Sequence, residues 1–142
     1  MARTFSNEMR AYSQEVVTLW YRAPELLIGH TEYNASIDLW SLGCIFYELL
    51  THKVLIKGTC ANSQLLAIFQ LLGLPTKLEL PQIANLHFPT SEASIAGFEE
   101  HLKVQGFDFL EIDLLKQFLR FAPAKRITAK LAMSHPYFDD LN

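Results

Sequence analysis

Residues 37–53 constrain this chain more than any other stretch. Leu39, Leu42, Gly43, Phe46, Leu49 and Leu50 recur at helical spacing, and Trp40, Ile45 and Tyr47 make the other side apolar as well. That pattern predicts a helix, with Asn34 as its N-cap. A helix that is apolar nearly all round must be surrounded by other elements, so the rest of the chain is expected to fold around it as a central post. With 142 residues and 50% hydrophobic content there is material for one such core, since a chain this long normally hides roughly two-thirds of its unfolded surface.

The flanking segments supply short helices. Ala23-Pro24-Glu25 opens a helical turn that Gly29 can end, because proline is tolerated in a first turn. A second helix is expected over 63–72, capped by Asn62, with Leu65, Leu66, Ile68, Phe69 and Leu72 inward and Gly73 closing it. A third follows Asp108 through Leu110, Leu114, Leu115, Phe118 and Leu119, and a fourth runs from Thr128 to His135-Pro136, where the residue before proline resists helical geometry. Residues 74–107, with Pro75, Pro81 and Pro89, read as a long irregular tract, the kind that often carries function. Val16-Val17-Thr18-Leu19-Trp20 is β-prone and reads as extended. No alternation long enough for a sheet appears, so the class is mainly α.

Composition excludes several functions. Twelve Lys and Arg against 15 Asp and Glu give a net charge of −3, with no basic run to follow a nucleic-acid backbone or an anionic membrane. Cys44 and Cys60 form no C-x-x-C pattern and the five histidines no ligand spacing, which argues against a metal and for a reducing compartment. Met1-Ala2-Arg3-Thr4 leads into polar residues rather than a signal-peptide core, and the apolar run 39–47 is too short to span a bilayer. A cytoplasmic or nuclear location is expected.

Two blocks carry the chemistry: Glu15-Val16-Val17-Thr18-Leu19-Trp20-Tyr21-Arg22-Ala23-Pro24-Glu25 and Asp38-Leu39-Trp40-Ser41-Leu42-Gly43-Cys44-Ile45-Phe46. They resemble a eukaryotic protein kinase of the cyclin-dependent kinase family, from the end of the activation segment through the central helix of the large lobe. Ala124-Lys125-Arg126-Ile127-Thr128-Ala129 and His135-Pro136-Tyr137-Phe138 fit the last helices of that lobe. The resemblance implies a partial kinase domain over 1–142: an activation-segment end at 1–25 and a helical C-terminal lobe at 34–142 with its insert at about 74–107. It lacks the N-terminal lobe and catalytic loop.

Residue by residue, the resemblance assigns roles beside plainer readings. Val16, Val17, Thr18, Leu19, Trp20 and Arg22 match the shelf that receives the residue after the phosphorylated Ser or Thr; taken alone they are a buried extended segment. The family valine matching Val17 has its carbonyl satisfied by the arginine matching Arg22, leaving no acceptor for a substrate N–H. An unpaired buried donor costs about 1–3 kcal/mol, which favours proline. Ser13 matches the activating phosphorylation position and Arg3 one arginine of its phosphate pocket; otherwise Ser13 is an ordinary loop serine. Glu25 and Arg126 match a buried ion pair; otherwise they are a first-turn acid favoured by the helix dipole and a surface arginine. Asp38 matches the anchor of the catalytic loop, or is a dipole-favoured acid. Ala122 replaces the family's usual aspartate before Pro123, removing a turn-stabilising acceptor.

By the same resemblance the parent activity is transfer of the ATP γ-phosphate, with Mg, to Ser/Thr-Pro sites in protein substrates, under control of a cyclin. A small accessory subunit is a further partner, although its contact stretch at 86–97 diverges. The chain contains no glycine-rich loop, His-Arg-Asp or Asp-Phe-Gly sequence, so it is expected to hold neither ATP nor metal and to be inactive alone. The alternative is a non-catalytic module that binds substrates or regulators.

Overall fold

The computed structural model describes residues 19–29, 32–86 and 95–141. Among these residues the regular structure is helical: α1 (Pro24–Leu27), α2 (Ala35–Thr51), α3 (Ala61–Leu72), α4 (Ile95–Val104), α5 (Phe109–Phe118) and α6 (Ala129–Met133), with 3-10 turns at Pro81–Asn85, Pro123–Lys125 and Pro136–Leu141. The mainly α class expected from the sequence holds.

The longest element, α2, starts where Asn34 Oδ1 accepts the Ser36 N–H at 3.1 Å. It stops where His52 turns left-handed (φ 59°) and its N–H donates to Glu48 O at 2.7 Å. Ile37, Leu39, Trp40, Cys44 and Tyr47 are buried. Gly43 sets the rotation, because α2 meets α5 so closely that a Cβ there would lie 2.6 Å from Phe118 Cβ. Leu42, Ile45, Leu49 and Leu50 are exposed, so the helix that is apolar nearly all round is not surrounded on every side. The aromatic side that meets α5 takes the core instead.

The helices expected after Asp108 and from about Thr128 are there: Asp108 shares a capping box with Glu111, and the Thr128 side chain caps α6. The cap of α3 differs. Ser63 Oγ accepts the Cys60 N–H at 3.0 Å, so the helix begins at Ala61 and Asn62 lies exposed within it. Gly73 (φ 91°) closes it, its N–H donating to Phe69 O at 2.8 Å.

Two tracts depart from expectation. Residues 74–107 are not irregular throughout, since α4 buries Phe98 and Leu102, one helical turn apart, before Gly106 (φ 95°) ends it. So short an apolar stripe between prolines gives little periodic signal. Residues 19–21 form a helical turn, closed by Arg22 N–H donating to Leu19 O at 3.3 Å, where an extended loop was expected; the rest of that run, 16–18, lies outside the described residues. Local hydrogen bonding outweighs β-propensity there.

Candidate functional site: the shelf and its tether

Pro24 at the start of α1 sets Glu25 in a first turn, and the Pro123–Lys125 turn delivers Arg126 in extended conformation. The two side chains meet far from each other in sequence. Arg126 Nη1 donates to Glu25 Oε1 at 2.6 Å and Nη2 to Oε2 at 2.7 Å, with side-chain exposures of 0% and 5%. The remaining guanidinium hydrogens go to carbonyls: Arg120 O at 2.7 Å, Ser36 O at 3.0 Å and Phe121 O at 3.3 Å. Its plane also lies 5.1 Å from the Trp40 ring. A buried two-pronged pair with its outer hydrogens satisfied is specific in geometry, and removing one partner costs about 3–5 kcal/mol. It ties α1, α2 and the segment before α6 together. The Pro123–Lys125 turn forms without a side-chain cap at Ala122; Lys125 N–H donates to Ala122 O at 3.0 Å, and Arg120 Nη1 donates to Lys125 O at 3.2 Å.

The run before α1 is held separately. Leu19 is buried and Trp20 half-buried, with Trp20 Nε1–H donating to Gly58 O at 3.0 Å. Ser41 Oγ donates to Tyr21 O at 2.7 Å, and Tyr21 OH donates to Glu48. Burial first, then the Glu48 carboxylate, pushes the Tyr21 hydroxyl up to about 12. The Arg22 guanidinium is half-buried and makes no hydrogen bond or ion pair with the described residues. Asp38 is exposed, as are Leu42, Ile45 and Leu49, which continue its stripe along α2. Arg3, Ser13, Val16, Val17 and Thr18 lie outside the described residues.

Sequence reasoning missed Gln64. This side chain is 1% exposed on α3. Its amide donates to Trp20 O at 3.3 Å and Ile56 O at 3.3 Å, while its Oε1 accepts Gly58 N–H at 2.6 Å. A polar residue beside the apolar run Leu65-Leu66 was the available signal, since a buried amide must find partners.

The family model for the protein kinase domain matches residues 1–138. The chain belongs to the protein kinase family. It is similar to cyclin-dependent kinase B2-1 of Arabidopsis thaliana, 43% identical over 145 aligned positions that cover 99% of this chain and 45% of the relative. It is 41% identical to cyclin-dependent kinase B1-1 of the same plant and to cell division control protein 2 homolog D of Antirrhinum majus, each over 100% of this chain and 46% of the relative. The chain thus spans a little under half the length of these curated relatives, and its helices are those of a kinase C-terminal lobe. Among the described residues no group of three or more His, Cys, Asp or Glu side chains is placed to hold a metal ion. Nor is any helix of the described residues long and apolar enough to cross a membrane.

Proposed function

We propose that this chain is part of a cyclin-dependent-kinase-like Ser/Thr kinase that transfers the ATP γ-phosphate to Ser or Thr followed by Pro in cell-cycle control. Residues 16–22 serve it as the substrate shelf, and the chain alone transfers no phosphate. The observation that carries this reading is the buried Glu25–Arg126 pair, which anchors the segment bearing Trp20 and Arg22 to the helical lobe. A shelf that presents no acceptor to a substrate N–H discriminates for proline. Ser13 is the regulatory phosphorylation position, with Arg3 as one arginine of its phosphate pocket, and Asp38 is the seat of a catalytic loop. A cyclin and a small accessory subunit are the protein partners, in cytoplasm or nucleus; neither nucleic acid nor membrane is one.

The test mixes the chain with Mg·ATP and a Ser-Pro peptide. No phosphate transfer and no saturable nucleotide heat are expected, while the Ser-Pro peptide binds in preference to its Ser-Ala counterpart. Phosphate transfer by the chain alone contradicts the inactive assignment, and equal binding of the two peptides contradicts the shelf. A second reading, a non-catalytic module for substrates or regulators, is favoured by the exposed Leu42, Ile45 and Leu49. It predicts a monodisperse folded chain whose role persists without phosphate transfer.

A further inference from the structure

We infer that the exposed stripe of α2 is a weak self-association face, on which a second copy of this chain lies antiparallel about a two-fold axis at Ile45. At about 3.6 residues per turn, Asp38, Leu42, Ile45 and Leu49 fall within about 60° of one another around the helix. All four are exposed. The stripe ends at the left-handed His52 and at Lys53, which are exposed as well. This face is therefore acidic where α2 begins, aliphatic through its middle and basic where it ends.

The spacing is self-complementary. Leu42 and Leu49 stand three residues before and four after Ile45, and Asp38 and His52 stand seven before and seven after it. Turning a second α2 end for end about Ile45 sets that residue on its own copy and Leu42 of each copy beside Leu49 of the other. It also sets the Asp38 end of each against the His52-Lys53 end of the other. A parallel pair would instead place acid on acid and base on base, which costs affinity. Because one patch serves both copies, the contact closes at two and does not grow into a fibre. Three aliphatic side chains per copy bury much less than the ~1,600 Å² of a standard interface, so the dimer is weak, with a dissociation constant above about 1 μM. Pairing also covers Asp38, so a second copy and a catalytic loop exclude each other at that end of α2.

The experiment follows the full chain by sedimentation velocity from low to high micromolar concentration. A reversible monomer–dimer equilibrium is expected, and Ile45→Lys, which sets two like charges on the axis, should abolish it without loss of helicity. Asp38→Lys makes both ends of the stripe basic and Lys53→Glu makes both acidic. Each should weaken the dimer roughly tenfold, since the two-fold axis makes every lost contact count twice. The double exchange, Asp38→Lys with Lys53→Glu, restores opposite ends and should recover most of that loss. Should Ile45→Lys unfold the chain, these charge variants, all at exposed positions, carry the test. Monomer at every concentration overturns the proposal, as does growth beyond the dimer. A dimer that survives Ile45→Lys lies on another face and overturns it too. A double exchange as weak as either single one overturns the antiparallel register.

Discussion

The two sides of α2 are equally apolar in sequence and differ in what they meet. On one side Trp40, Cys44 and Tyr47 pack against α5 and the residues around it: Trp40 lies 6.3 Å from Phe121 between ring centroids and Tyr47 stacks on Phe107 at 5.7 Å. Burial there is complete enough to push the Cys44 thiol up to about 12. On the other side Leu42, Ile45 and Leu49 remain exposed, Leu49 at 70%. Hydropathy alone therefore does not say which face of a helix is covered; close approach at Gly43 does.

The comparison breaks most sharply by truncating one residue from each side. Trp40→Ala should cost about 3–5 kcal/mol, and Leu49→Ala less than about 0.5 kcal/mol, as read by denaturant unfolding. Similar costs would mean that both faces are packed. Gly43→Ala comes next, because the added methyl would overlap Phe118 Cβ; overpacking of this kind costs about 1–3 kcal/mol. A neutral or stabilising result would remove the close approach as the reason for α2's rotation.

A smaller effect is expected from pH. The His135 hydrogen bond, at 2.7 Å, with a further one from Gln117, holds the Asp113 carboxyl below its ordinary range. A depressed folded-state value stabilises above the unfolded carboxylate value of ~3.9 and is lost as pH falls through the folded value. The stability gap between the native chain and Asp113→Asn should therefore shrink from about pH 5 downward. Because the Asp113 side chain is 44% exposed, the gap is modest; a constant gap would contradict the linkage. The smallest change in stability is expected for Leu42, Ile45 and Leu49 replaced by Gln, but such a variant should bind less hydrophobic dye. Unchanged dye binding would locate the accessible apolar surface elsewhere.

Much of this was legible because the signals are local. Asn34, Asp108 and Thr128 cap the helices they precede, and Gly73 ends the one before it. The pairing of Glu25 with Arg126, 101 residues apart, has no local signature; it came from the resemblance of the two flanking motifs. What stayed hidden depends on neighbours distant in sequence. The exposure of Leu42 and Leu49 follows from the crossing with α5, α4 rests on two inward residues, and Gln64 acquires its role only when Trp20 and Gly58 close around it.

The tether between α1 and the rest of the helical lobe is tested most directly by a thermodynamic cycle on Glu25→Ala, Arg126→Ala and the double variant, each unfolded in denaturant. The geometry predicts that each single change destabilises by about 3–5 kcal/mol. The double variant should cost less than their sum by about 0.5–3 kcal/mol, because the second removal no longer strands a buried charge. Strict additivity would contradict the account, since it would mean that the two side chains do not hold each other.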